Sequence, residues 1–432
     1  MKYKSHSTIF TIVLVTMFAL SSCVDYDDVA RRVDIQVHLK NPAEFKEDAA
    51  LDNMEVKIKS KSAEMTAMTD EQGIATFYNC MPDVYDISSY KELTGEEYNK
   101  KTGNTEREVE SCVITAALNE QLFDEAREQS PVEVDATIMS IYDKIDEEDQ
   151  IAMRRYIVIS KISSSGSKKP TGGNYMAGKY LELYNQSSKA IDISGMYIGL
   201  LESTGNANRV YTLEELQKDP AINGTKVVVK QVFRIPTDQP FYLAGGESVL
   251  LCNSATDHSD VNELERDLTG ADFEAVGVND NLEHNPNVPK LVTAYTSSGG
   301  DATMNLVQGG PCGIIIFDTD EDINTWEKTY GYGKTSGSLT YLLVPKSVIK
   351  DGVDFIKNTK DGPNLTTKRL YTDIDAGCTN INAISGYTGE VVYRRTLRVT
   401  PEGRKVLMDT NNSSNDFKVS TTIYPREYDN EE

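Results

Sequence analysis

Four histidines, His6, His38, His258 and His284, are all the imidazole chemistry available to a chain of 432 residues. None falls in an H-E-x-x-H run, and no G-x-S-x-G or G-x-x-x-x-G-K-[ST] run accompanies them. His258 lies in Asp257-His258-Ser259-Asp260, where a neighbouring carboxylate could make it a base. With no nucleophile identifiable, a solvated loop histidine is the expected reading. Asp318, Asp320 and Asp322 occupy the first three acidic positions of a calcium loop. Ile323 stands where the turn glycine belongs and Thr329 where the bidentate glutamate belongs. A solvated acidic turn is therefore expected, with calcium as the weak alternative. The glycines of Gly331–Gly337 lack phosphate-loop spacing and read as a loop. No catalytic set, metal site or cofactor site emerges, and a non-enzyme is the expectation.

The six cysteines say more about address than about reaction. Lys2 and Lys4 precede an apolar run from Ile9 to Leu20, closed by Leu20-Ser21-Ser22-Cys23. A basic start, a short apolar stretch and small residues at the exit read as a secretory signal over residues 1–22. The run is too short to span a bilayer, which takes ~20 apolar residues. The segment ending in Cys23 resembles the lipobox of bacterial lipoproteins. That resemblance implies cleavage before Cys23, diacylglycerol on its thiol, and a membrane attachment made by lipid alone. Residues 23–30, with Val24-Asp25-Tyr26-Asp27-Asp28, resemble the acidic tether of outer-membrane lipoproteins exported to the cell surface. The formal net charge is −23, which argues against nucleic-acid partners and against adsorption on anionic lipid by charge. Export permits disulfides, and Cys80 and Cys112 are the candidate pair because both sit on apolar strand positions of one domain.

The elements that would carry any site are strands. Val33, Ile35, Val37 and Leu39 alternate with polar residues, as do Met54, Val56 and Ile58. This period of two marks half-buried strands. A turn cluster, Thr69-Asp70-Glu71-Gln72-Gly73, leads to Ala75 and Phe77, then to Met81-Pro82-Asp83 and Tyr85-Ile87. The run resembles the carboxypeptidase-regulatory-like, or transthyretin-like, β-sandwich, with Cys80 at a usual leucine position. Such a domain is expected over residues 31–142 as a spacer or scaffold. A short helix is expected over 120–129, a closing strand over 132–138, and a boundary in the acidic stretch 143–149.

Beyond it, Tyr156–Ile162 reads as a buried strand. Lys179-Tyr-Leu-Glu-Leu-Tyr-Asn185, Ala190-Ile-Asp-Ile-Ser-Gly195 and Tyr197-Ile-Gly-Leu200 follow. These runs resemble the lamin-tail domain, an immunoglobulin-like β-sandwich, with Met196 in place of the family's tryptophan. Leu243–Leu251 and Asn411–Phe417 continue the likeness, so a lamin-tail-like domain is expected over 150–432. A long loop insertion is expected at about 254–340, rich in Asn, Asp and Gly. On the 180–185 strand Glu182 shares a face with Tyr180 and Tyr184. A solvated or turn-capping glutamate is expected there, with a ligand contact as the alternative.

The fold class implied is all-β, with two sandwiches in tandem and the second elaborated by long loops. The function implied is a non-catalytic, lipid-anchored surface protein that partners an outer-membrane transport complex. Lipoproteins of the group it resembles sit beside TonB-dependent transporters. The alternative is a surface glycan- or nutrient-binding lipoprotein, which requires exposed tyrosines and Trp326 to form a concave platform on domain two.

Overall fold

The computed structural model describes residues 31–124, 130–144, 149–202, 212–331, 334–401 and 403–430. The signal segment, Cys23 and the acidic tether lie outside the described residues. The chain divides into two compact units, residues 1–144 and 145–432. Strands dominate both, and no described helix is long and apolar enough to cross a membrane.

The first unit has seven strands on one path: 64–68, 55–59, 83–94, 109–123, 132–143, 33–40 and 74–80. The 132–143 strand joins two layers. Val132–Asp135 pairs in parallel with the 33–40 strand, whereas Ala136–Asp143 pairs antiparallel with the 109–123 strand. The inward residues of both layers, among them Val37, Ile58, Phe77, Ile87 and Ile114, form one core.

The Thr69–Gly73 turn explains its own sequence. Asp70 accepts the N–H groups of Gln72 and Ile74 on one carboxylate oxygen, both at 2.9 Å. Gly73 takes φ 80°, a left-handed conformation that favours glycine. Buried Thr69 accepts from Met54 N–H at 2.8 Å and donates to the Leu51 carbonyl at 2.5 Å.

Two expectations for this unit are corrected. The 109–123 strand continues to Phe123 instead of yielding to a helix at 120. A bulge carries it past Asn119 and Glu120, where Glu120 takes φ 53° and donates its N–H to Asp86 at 2.9 Å. The cysteine pair is not made, because Cys80 and Cys112 are both free and buried. Cys80 lies opposite Val33, beyond the Val132 end of the closing strand, while Cys112 lies opposite Ile141 near its other end. From Val132 to Ile141 is roughly 30 Å at about 3.3 Å per residue, far more than the ~7 Å between α-carbons that a disulfide tolerates. Burial pushes the Cys112 thiol up to about 11.

The second unit is a two-sheet sandwich. One sheet orders its strands 273–274, 248–252, 180–185, 157–163, 391–394 and 417–420. The other orders 328–330, 340–345, 226–234, 197–201, 314–317 and 349–353, with 292–296 also pairing with 226–234. Ile159, Leu181, Leu183, Val249 and Val392 of the first sheet meet Ile198, Leu200, Phe233, Ile314 and Ile316 of the second in one core. Met196 is fully buried in it.

The stretch 254–340 is therefore more than a loop insertion. Ile314–Phe317 is a fully buried strand in the interior of the second sheet, hydrogen-bonded to 197–201 and 349–353. Four consecutive apolar residues suit a strand wet on neither face.

Candidate functional site

The outer face of the 157–163 and 180–185 strands overturns the solvated reading of Glu182. Its carboxylate is fully buried and forms an ion pair with equally buried Lys161 at 3.1 Å. The C-terminal residues 421–430 cover it. Tyr428 donates its hydroxyl to Glu182 at 2.9 Å, Arg426 donates its N–H at 2.8 Å, and the Tyr424 carbonyl accepts from Lys161 at 2.9 Å. Lys161 also lies 4.1 Å from the Tyr428 ring centroid. Every charge in this place has a protein partner, so it fastens the chain terminus and offers no opening to a ligand.

The acidic turn is likewise committed to structure. Asp318, whose side chain is 8% exposed, pairs with buried Arg154 at 2.7 Å. Asp322 accepts the Asn324 N–H at 3.0 Å and caps a short 3-10 helix over 323–325. Asp320 stands exposed, and no metal-holding cluster of acids, histidines or cysteines exists among the described residues. Of the three carboxylates of the calcium alternative, the first is engaged by a guanidinium through one oxygen. Trp326 packs 6.0 Å from Phe317 and donates its indole N–H to Glu321. It is partly buried against the core of the second sheet.

What remains open is a cleft of about 830 Å³ on the second unit, within the size range of ligand sites. Its walls come from residues 174–179, 253–258, 280–283 and 302–308, with Gln231 below. The 302–308 wall is not a strand, so its backbone groups need other partners. Asn253 both donates to the Met304 carbonyl at 2.9 Å and accepts its N–H at 2.8 Å. Gln231 does the same for its neighbours, donating to Thr303 at 3.1 Å and accepting from Asn305 at 2.8 Å. Lys230 donates to the Asn305 carbonyl at 3.2 Å, and Lys179 to the Leu306 carbonyl at 2.6 Å. These four side chains hold the wall rigid from beneath.

His258, at the opposite wall, is buried rather than solvated. Its Nε2 lies 2.9 Å from the Ser254 carbonyl and its Nδ1 2.6 Å from the Tyr175 hydroxyl. A carbonyl only accepts, so Nε2 carries the proton and, in the neutral ring, Nδ1 accepts from the phenol. Both ring nitrogens are thus occupied by protein groups, which leaves no lone pair for a base. Burial raises the Tyr175 phenol and the Glu265 carboxyl above their ordinary ranges. Glu265 in turn accepts a hydrogen bond from the Ser167 hydroxyl. His284, which follows the 280–283 wall, is held between Asp280 at 2.9 Å and buried Glu274 at 3.3 Å.

The cleft residues were not singled out from sequence, His258 excepted. The signal was Lys230-Gln231 inside the apolar run Val227–Phe233, and Asn253 directly after Val-Leu-Leu-Cys. Polar residues interrupting buried strands must answer to a partner.

An all-β chain of two units, the second carrying a polar cleft, is the class of protein that this fold defines. Residues 244–423 match a family model described as "Protein of unknown function (DUF4876)". The fold is also similar to the crystal structure of a DUF4876 family protein from Bacteroides thetaiotaomicron VPI-5482. That likeness has a TM-score of 0.53 at 18% identity, over 92% of this chain and 98% of that one. No curated protein matches the chain.

Proposed function

We propose that this protein is a non-catalytic, lipid-anchored binding protein of the bacterial outer membrane, and that its second unit captures a small polar ligand beside a transport complex. The observation that carries the reading is the cleft itself: roomy, open, walled by a rigidly held backbone, with its one histidine fully occupied. A preformed polar surface without an available base or nucleophile suits binding rather than turnover. The Cys23 lipobox and acidic tether supply the anchor, and two acyl chains hold stably where one holds marginally. The first unit, similar in sequence to carboxypeptidase-regulatory-like domains, serves as the spacer, and the lamin-tail-like second unit as the head. A TonB-dependent transporter is the expected neighbour.

For the glycan alternative, Tyr175 is the aromatic side chain that lines the cleft, while Trp326 packs on Phe317. Nutrient capture in the wider sense keeps its site. The test is a melting-temperature screen of the full mature chain against sugars, amino acids, dipeptides and organic acids, repeated with Ala302→Trp to fill the cleft. A ligand that raises Tm in the wild type but not in the variant is expected. A panel that shifts neither protein, or both equally, overturns the assignment of this cleft.

A further inference from the structure

Lys179 differs from the other side chains that hold the cleft wall. It lines the cleft, is 6% exposed, and makes a single hydrogen bond, to the Leu306 carbonyl. Among the described residues no carboxylate lies within ion-pair distance of its ammonium. An ammonium has three N–H donors, and a buried charge is ordinarily paired because leaving water is costly. A neutral amide would serve the same carbonyl without that cost, as Asn253 and Gln231 do for its neighbours. Burial lowers the Lys179 ammonium to about 8.

We infer that Lys179 receives a carboxylate of the captured ligand at the foot of the cleft. This rests on the capture reading above and narrows it to ligands bearing an acid group. The charges around the ammonium agree. Lys230, also buried, adds a second positive charge nearby; of the acidic groups that act on the ammonium the Cys312 thiol comes first, and Glu265, the nearest carboxyl in influence, is engaged with Ser167. Asp257 and Glu283 in the cleft lining are exposed and the half-buried Asp280 is paired with His284, so water or a partner weakens their repulsion, whereas the field of a desolvated ammonium is screened little. A singly charged planar carboxylate fits one ammonium. A phosphate or sulfate would bring more charge and more acceptor oxygens than this point offers, past an acidic rim.

The test compares matched acid and neutral probes by calorimetry at pH 7: galacturonate against galactose, and N-acetylglutamate against N-acetylglutamine. Wild-type protein should bind the acid of at least one pair tenfold or more tighter than its neutral partner. Lys179→Gln, whose amide can still serve the Leu306 carbonyl, should lose that preference while melting within a few degrees of the wild type. Lys179→Arg should keep it. If panel ligands bind with no advantage for the acids, or if the preference survives in Lys179→Gln, the inference fails while the capture reading stands. If nothing binds the wild type, both fail together.

Discussion

Two buried cations of the second unit, Arg394 and Lys179, show how differently one fold treats charge. Arg394 is 2% exposed and donates to three carboxylates, Asp409 at 3.0 Å, Asp351 at 3.1 Å and Asp416 at 3.3 Å, and to the carbonyls of Ile159 and Met408. Each of its three nitrogens is engaged by the protein. Lys179 gives one hydrogen bond to a carbonyl and faces a cleft. A charge that the fold has saturated is a structural clamp; a charge that the fold has left facing solvent-sized space is an invitation. Burial alone does not distinguish them, and the partner list does.

The largest effect should come from breaking the clamp. Arg394→Met leaves three buried or half-buried carboxylates facing one another and should cost about 3–5 kcal/mol in urea denaturation of the mature chain. Lys179→Gln should cost under about 1 kcal/mol by the same measurement. Equal losses at the two positions would erase the distinction.

Titration sharpens it, because the two places respond to pH with opposite signs. Burial raises Asp351 to about 6 and Asp416 to about 7, against an ordinary 3.8. Between those values the folded chain binds more protons than the unfolded one, so stability falls as pH rises through about 4 to 7. Lys179 runs the other way. With a folded value of about 8 against 10.5, the unfolded chain binds the extra proton, and stability rises from about pH 8 toward 10.5. Urea midpoints taken from pH 5 to 10 should pass through a minimum near pH 7–8. Lys179→Gln should weaken the alkaline rise and leave the acid limb unchanged; an unchanged alkaline limb would place the proton elsewhere.

How much of this was legible in sequence follows from what each feature depends on. The strands at 33–40 and 180–185 and the Thr69–Gly73 turn were readable because alternation, turn chemistry and a left-handed glycine are local. Glu182 was misjudged because its surroundings are supplied by residues more than 240 positions later, Arg426 and Tyr428. Periodicity reports that a face exists, not what will cover it. The cleft was hidden for the same reason: its walls join at Lys179, Asn253 and Met304 through contacts no window of sequence contains. The acid triplet misled in the opposite sense. Its spacing was local, but Arg154, which claims Asp318, lies 164 residues away.

The first unit supplies the smallest effects, since its described ion pairs are at the surface. Gly73→Ala should cost about 1–2 kcal/mol, because φ 80° disfavours a side chain and the added carbon would come 3.2 Å from the Leu39 carbonyl oxygen. Below that lies Glu64, which hydrogen bonds from Lys57 and Lys59 hold down to about 2. Its side chain is 42% exposed, so water screens most of what that shift implies, and exposed pairs are typically worth about 0–1 kcal/mol. A depressed carboxyl contributes stability above its unfolded value and loses it as pH falls through the folded one. Glu64→Gln should therefore cost under about 1 kcal/mol at pH 7 and nothing near pH 2. A loss of Arg394 size at Glu64 would mean that solvent exposure, and not the completeness of partnering alone, had been misjudged as the divide between clamps and bystanders.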